Sequence, residues 1–303
     1  MVDIIIVTYK SKKELMQCIE SCNNSDIPVQ IIIIDNNSSD GTYEFAQVLA
    51  QQYKNIKVIL SKENIGLAAA NNLAIPHLKS EYTLILNPDT ILETNTLSVL
   101  VNALKVEENV GAVGPLNLYE DGSRHTSFHT SWTLMHLIAW RLIPYSFIRG
   151  VYDKYSRYKE KYVLFVSGSC LLLKKEIFLK VGGYDPKFFL TVEDACDLCL
   201  RIRKIGYRTK FIPIARMVHL CGKSGSQVPY LALVEGYKGD IYFFKKHYGD
   251  FQEGIAFLII KISCYVKILI SLIKVKIKKR AIDELNLNTY LKALNALNNK
   301  FIE

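Results

Sequence analysis

An α/β domain, built on a mostly parallel sheet with helices on both faces, is the fold class predicted by three features of this sequence. Short Ile-, Val- and Leu-rich runs alternate with helical periodicity through the first 118 residues, the pattern of parallel strands joined by crossover helices. Within those runs the apolar residues are consecutive rather than alternate, so the strands are buried on both faces. With 303 residues, half of them hydrophobic, the chain can bury a large core in one large or two modest domains and is not a disordered chain.

DIIIVTY (residues 3–9) is the first strand. SKKE (11–14) then reads as a capping box opening a helix that places Leu15, Ile19 and Cys22 on one face. Further strands are predicted at QIIIID (30–35), NIKVIL (55–60), YTLILN (82–87) and VGAVGPL (110–116), with a helix carrying Leu97, Leu100, Val101 and Leu104 before the last of these. Residues 119–162 break the alternation and are rich in aromatics, including Trp132, which reads as an excursion facing an acceptor or a membrane. VLFVSGSCLLL (163–173) is predicted as one strand with small residues in its middle. A helix, the turn GGYDP (182–186), the segment KFFLTVEDACDLCLRIRKIGY and a strand RTKFIP follow.

The net charge is +9, and its informative part lies near the C-terminus: from Gly254 to Arg280 there are seven basic residues and no acidic one. Lysines interrupt the apolar run too often for a spanning helix, which needs about 20 apolar residues in succession. On a helix Lys267, Lys274 and Lys278 share one face, and Ile, Leu and Val fill most of the rest. This reads as an interfacial helix lying on an anionic leaflet, or as a core helix with snorkelling lysines. Seven cysteines are scattered through apolar segments, and no basic region precedes DIIIVTY, so no secretory leader is expected and a reducing cytoplasm fits. CDLC and the pair Cys18/Cys22 lie in amphipathic helices and read as buried structural thiols.

Polar residues gather at the carboxyl ends of the strands, where open α/β sheets bind ligands: Thr8, Tyr9 and Ser11; Asp35, Asn36 and Asn37; Asn64 and Gly66; Asn87 and Asp89. Asp35 can accept the imide N3–H of uracil or thymine with Thr8 and Tyr9 flanking the ring, or it can cap the helix after DNNSSDG. NIGLAAANN (64–72) lets a diphosphate approach backbone at a helix start, or serves as a packing surface. In LILNPDT (84–90) Asp89 can bind Mg2+ or Mn2+ beside that diphosphate, or simply belong to a turn. Glu193, Asp194 and Asp197 open a helix, which the macrodipole favours. Alternatively Asp194 is a general base whose pKa is raised by an apolar wall of Phe188 and Phe189. His219 is a metal ligand, a phosphate contact or structural, and Gly222, Lys223, Ser224 and Gly225 after it form an anion-friendly loop.

Taken in order, IIIVTYKS, IIIIDNNSSDG, ENIGLAAANN, LILNPDT, VSGSCLLLKKEIFLKVGGYDPKFF, VEDACDLCLR and His219 resemble a family-2 inverting glycosyltransferase, especially the bacterial rhamnosyltransferase-like branch, over residues 3–225. The resemblance implies a GT-A (Rossmann-like) fold, a nucleotide-sugar donor and Mn2+ or Mg2+. The donor site it implies comprises Thr8, Tyr9, Asp35, Asn37, Asn64, Gly66, Asn71, Asn87 and Asp89. Asp89 and His219 are then the metal ligands, Asp194 the catalytic base, and Glu193, Phe189 and Trp132 acceptor contacts. Two departures stand out: Asn87 occupies the first place of the family's DxD, and one extra residue separates Asp194 from Asp197 compared with the usual E-D-x-D. The Q-x-x-R-W motif of processive synthases is missing, which favours one sugar per encounter.

Residues 1–118 are accordingly expected to form the nucleotide-sugar-binding half, 119–250 the acceptor-binding and catalytic half, and 251–303 an amphipathic helical, membrane-associating extension. The expected activity moves one sugar, rhamnose by the branch it resembles, from a dTDP- or UDP-sugar to a hydroxyl of a lipid-linked or cell-surface glycan. The expected partners are that donor, the glycan or lipid-linked saccharide and an anionic membrane surface, with no nucleic acid. The expected location is cytoplasmic, peripheral on the inner face of the cell membrane. A catalytically silent nucleotide-sugar-binding or membrane scaffold of the same fold is the alternative. A nucleotidyltransferase would need a glycine-rich, arginine-containing loop where VTYKSKKE stands.

Overall fold

The computed structural model describes residues 1–143, 159–220, 229–278 and 280–299, and the chain divides into two compact units: residues 1–131 with 156–224, and residues 132–155 with 225–303.

In the first unit β1 (Val2–Thr8), β2 (Val29–Asp35), β3 (Ile56–Leu60) and β4 (Tyr82–Leu86) are mutually parallel in the order β3-β2-β1-β4. Ile4, Ile5 and Ile6 of β1 and Ile31 to Ile34 of β2 are all fully buried, as consecutive apolar strands require when both sheet faces are covered. Each such side chain contributes roughly 1.5–3 kcal/mol of burial. α1 (Lys12–Asn23) and α2 (Thr42–Gln52) are the crossovers, and α1 sets Leu15, Cys18, Ile19 and Cys22 into one core. The capping box at its start does not form. The N–H of Ser11, which Glu14 was expected to engage, donates to Thr42 Oγ1 (3.2 Å), and the Ser11 hydroxyl donates to Tyr9 O (3.2 Å). α3 (Leu67–Asn72) precedes β4. β5 (Thr90–Leu92), α4 (Thr96–Val106) and β6 (Val110–Leu118) follow it, with Leu97, Leu100 and Leu104 of α4 in the core.

β7 (Phe128–His129), β8 (Lys161–Val163), β9 (Phe165–Val166), β10 (Cys170–Lys174), α6 (Lys175–Lys180), α7 (Glu193–Lys204) and β11 (Arg208–His219) complete this unit; α5 (Leu134–Leu142) belongs to the other. Past β4 the sheet continues β10-β6-β11-β5, with β8 also on β11. β10 is antiparallel to both its neighbours, β6 and β11 are parallel, and β5 and β8 are antiparallel to β11, so the sheet is mixed beyond β4. The run 163–173 is not one strand. It breaks at Ser167-Gly168-Ser169, where a Cβ on Gly168 would stand 3.3 Å from Ala195 Cβ and 3.8 Å from Asp194 Oδ1. The small residues in its middle are there to admit the start of α7.

The second unit is helical: α5, α8 (Pro229–Tyr248), α9 (Asp250–Lys278) and α10 (Ala281–Asn298). Gly249, at φ +85°, donates its N–H to Lys245 O (3.0 Å) and ends α8 in the left-handed conformation that glycine allows. Tyr237, Phe243, Phe244, Ile260, Cys264 and Leu297 are fully buried. Among them lies an ion pair in which Arg141 Nε donates to fully buried Asp240 Oδ2 (2.8 Å) and Arg141 Nη2 to Gly236 O (3.1 Å). The described lysines of the stripe differ in exposure. Lys274 is exposed, but Lys267 is half-buried with Nζ 5.6 Å from the Tyr290 ring centre; the Lys278 side chain lies outside the described residues. Six cysteines (18, 22, 170, 196, 199 and 264) are free and buried, in line with structural thiols.

Candidate active site

The register of β1 on β2 sets Thr8 opposite Asp35, so the last residues of two buried strands meet. Thr8 Oγ1 donates to Asp35 Oδ1 (3.1 Å), and the Ser38 N–H donates to Asp35 Oδ2 (2.9 Å). Asp35 is fully buried, which fixes its carboxylate, while each oxygen keeps capacity to accept a further bond. Tyr9 is half-buried, with Lys10 Nζ 5.4 Å from its ring centre, and Asn37 is exposed at φ +63°.

Asn36, singled out only as one of several polar strand ends, ties this edge to the next loop. Its Nδ2 donates to Asn64 Oδ1 (2.8 Å), and its Oδ1 accepts from the Ile65 N–H (3.0 Å). Asn64 Oδ1 also accepts from Gly66 N–H (3.1 Å). Gly66 sits at φ +84°, ψ 166°, and a Cβ there would be 2.7 Å from Phe189 O. Only glycine lets the Phe189 backbone close on this loop, and Leu67 N–H bonds Phe189 O (2.6 Å). Asn71 is buried; its Nδ2 donates to Leu67 O (2.9 Å), and its Oδ1 has no partner among the described residues. α3 spans six residues, so its macrodipole is small and the backbone of the loop matters more to an anion than the helix does.

Asn87-Pro88-Asp89 joins β4 to β5. Its Asn87 N–H donates to Ser169 O (3.0 Å), and Thr90 Oγ1 donates to Asn87 O (2.7 Å). β5 pairs with the end of β11, Thr90 opposite His219, and Leu220 N–H donates to Asp89 O (2.9 Å). That pairing brings Asp89 Oδ1 within 3.2 Å of His219 Nε2. The His125 ring lies at right angles to that of His219, 5.4 Å between centres. A carboxylate and an imidazole nitrogen converging in this way suit Mn2+ as a donor pair. Among the described residues no group of three or more such side chains gathers at one point, so a cation bound here would need further ligands from substrate and water. Gly222 to Gly225 lie outside the described residues.

Glu193 and Asp194 open α7, and both are buried. Burial pushes the Asp194 carboxyl from an ordinary 3.8 up to about 7; the Ala195 N–H, which donates to Oδ1, pulls it down, and Asp197 pushes it up. Phe188 is fully buried and Phe189 half-buried just before this helix. Asp197, fully buried, is taken up by Arg201: Nε donates to Asp197 Oδ2 (2.8 Å) and Nη1 to Val181 O and Gly183 O (2.7 Å each). That network clamps α7 to the GGYDP turn, a structural use that accounts for Asp197. Asn72 holds the same turn through Tyr184, accepting from its N–H and donating to its O (2.8 Å each). Trp132 belongs to the second unit, where it is buried against His136 and Trp140.

The sequence profile of "Glycosyl transferase family 2" matches residues 3–182, which carry every one of these strand ends except the His219 and Asp194 segments. The N-acetylglucosaminyl-diphospho-decaprenol L-rhamnosyltransferase of Mycobacterium tuberculosis is 28% identical over 257 residues, covering 79% of this chain and 82% of that protein. Rhamnosyltransferase WbbL of Escherichia coli (strain K12) is 28% identical over 230 residues, covering 72% of this chain and 83% of its own. Among solved structures, the mannosyltransferase PcManGT from Pyrobaculum calidifontis in complex with GDP-Man and Mn2+ superposes with a TM-score of 0.61 at 17% identity, over 99% of this chain and 86% of that one. The fold is thus the GT-A fold that the strand-end motifs implied, and the chain belongs to glycosyl transferase family 2.

Proposed function

We propose that this family 2 glycosyltransferase moves one rhamnosyl residue from a dTDP- or UDP-sugar to a hydroxyl of a lipid-linked saccharide, with inversion, on the cytoplasmic face of the cell membrane. The observation that carries the chemistry is Asp194: a buried carboxyl with a pKa of about 7 holds a proton weakly enough to be ionised and strongly enough to take one near neutral pH. The acceptor and sugar are supported by the two rhamnosyltransferases, one of which carries a diphospho-decaprenol acceptor in its name.

In this reading Thr8, Tyr9, Asp35 and Asn37 hold the nucleoside, with the free acceptor capacity of Asp35 matching a pyrimidine imide N–H. Asn64, Gly66, Asn71 and Asn87 line the donor loop, and the unpartnered Asn71 Oδ1 suits a sugar hydroxyl. Asp89 and His219 hold a divalent cation, Mn2+ or Mg2+, which when bound supplies positive charge against the leaving diphosphate. Glu193 and Phe189 contact the acceptor. Asp194 takes the acceptor hydroxyl proton as that oxygen bonds to the anomeric carbon and the bond to the nucleoside diphosphate breaks on the opposite face. One displacement inverts the centre, and the chain releases its product after one sugar.

Purified protein, incubated with dTDP-rhamnose, UDP-sugars and a polyprenyl-diphospho-saccharide with and without Mn2+, should release nucleoside diphosphate and extend the lipid-linked glycan by one residue. No turnover with any donor would sink the proposal. Retention at the anomeric carbon would remove Asp194 from its role as base.

A further inference from the structure

We propose that α9 is immersed by one face in the acyl-chain region of an anionic bilayer, so that the second unit is monotopic. This rests on the membrane location proposed above and supplies its mode. The evidence is an apolar stripe turned away from the rest of the unit. Leu258, Ile262, Tyr265, Leu269 and Ile273 succeed one another at spacings of four, three, four and four, one continuous stripe, and every one is between 45% and 60% exposed. The opposite face carries Ala256, Ile260 and Cys264 together with Ser263, Lys267 and Ser271, all buried or half-buried. Beneath the same bundle of helices lies the Arg141–Asp240 ion pair. A water-soluble helix turns its apolar stripe inward and its lysines outward. Here a continuous apolar stripe points away from the unit while half-buried Lys267 lies on the inward face, an arrangement suited to a surrounding solvent of hydrocarbon.

Nine large apolar side chains between Leu258 and Ile277 are 39% to 74% exposed. At roughly 150 Å2 for each side chain they leave on the order of 700 Å2 of apolar surface on one helix, above the roughly 300–600 Å2 that the largest patch on a typical soluble monomer reaches. The charge at its end selects the surface. Lys274 and Lys276 are exposed, and the stretch from Gly254 to Arg280 carries no acidic residue, which matches an anionic headgroup layer. α9 is long and apolar enough to cross a bilayer. Its inner face, however, packs on α5, α8 and α10, so lipid meets one side of it and it lies in the leaflet instead of spanning it.

The test is flotation of the full chain with vesicles of phosphatidylcholine containing about one-third phosphatidylglycerol. The protein should float and stay bound in about 1 M salt, where charges are screened beyond about 3 Å. The double variant Ile262→Glu/Leu269→Glu should bind about tenfold or more weakly, whereas Val106→Glu, an exposed apolar site on the first unit, should bind like the wild type. Thermal melts confirm that each variant folds. In the Tyr265→Trp variant the added emission should shift blue with vesicles and be quenched by lipids brominated near the headgroup end of the chain, about 5–10 Å deep. Failure to float, loss of binding in salt, equal binding by the double variant or a water-like Tyr265→Trp spectrum would each overturn the proposal. So would a dimer, detected by sedimentation, that the double variant abolishes, because the face would then belong to a second copy. Hydrolysis of the donor without acceptor or vesicles reads the transferase assignment separately, so either proposal can fail while the other stands.

Discussion

Asp194→Asn separates chemistry from architecture because its two effects have opposite signs. The native carboxyl titrates at about 7 and the unfolded one near an ordinary 3.8. Between those values the folded protein binds a proton that the unfolded chain does not, so stability falls as pH rises through the window and is lowest above pH 7. Each pKa unit corresponds to about 1.4 kcal/mol, so the ionised group costs the native state on the order of 4 kcal/mol at pH 8. Asparagine carries no charge, so the variant should be more stable than the wild type at pH 8, by several degrees in Tm at about 2–4 °C per kcal/mol, and the gain should vanish near pH 4. Transfer should be abolished at every pH while nucleotide binding survives. In the wild type, kcat should drop about tenfold per pH unit below 7, as the base fills with its proton. Calorimetric melts at pH 4 and pH 8 and a rate profile across that range measure both. No stability gain at pH 8, together with an acid limb centred near 4, would mean that Asp194 is an ordinary ionised carboxylate and not the tuned base.

Gly66→Ala should lower stability by about 3 kcal/mol and weaken donor binding, because its φ of +84° excludes a side chain and Phe189 O stands 2.7 Å from the new Cβ; melts and nucleotide titration read both. Arg201→Leu should cost about 3–5 kcal/mol by leaving the buried Asp197 carboxylate without its cation, and a matched Asp197→Leu/Arg201→Leu double variant should recover part of that loss in denaturant titrations. Asp89→Ala should remove Mn2+ binding in calorimetry and leave the melting temperature within a few degrees; unchanged Mn2+ affinity would dissociate the Asp89–His219 pair from the cation. Asp3→Asn should destabilise by about 2–3 kcal/mol in the same melts without altering the pH–rate profile.

The parallel half of the fold was legible because its strands are apolar at every position, and only burial on both faces explains Ile4 to Ile6 and Ile31 to Ile34. The mixed half was not. Cys170 to Lys174 enters between β4 and β6 from far along the chain, and no local period encodes an antiparallel partner at that distance. The same limit applies within the site. Asp35, Asp89 and Asp194 stand out as carboxylates at element ends, whereas Asn36 is one asparagine of a DNN triplet until its bonds to Asn64 and Ile65 are seen. The capping box failed because Thr42, thirty-one residues on, took the Ser11 N–H. For α9 the sequence held the period but left open whether the helix lies on a leaflet or in a core. A hydrophobic stripe says which residues share a face, but what lies against each face is decided by the other helices.

Counting hydrogen bonds on the buried carboxylates separates those with capacity left for a ligand from those without it. Asp3, at the amino end of β1, accepts from Lys79 N–H (2.6 Å), Ser80 N–H (2.7 Å) and Ser80 Oγ (2.8 Å), and such saturation leaves it nothing to offer a ligand. Asp35, at the other end of the neighbouring strand, accepts two and keeps one open position on each oxygen. Asp194 accepts one bond, from the N–H of the next residue, and is left with a charge that its surroundings do not stabilise. All three are almost wholly buried, so burial alone does not sort them. The fold fully satisfies Asp3, which holds a strand end in place, and leaves acceptor capacity on Asp35 and Asp194, the two proposed to meet a base and a hydroxyl proton. Asp197, whose charge is met by Arg201, is a structural carboxylate like Asp3 despite lying three residues from Asp194. A substitution there should act through the GGYDP turn rather than through the reaction.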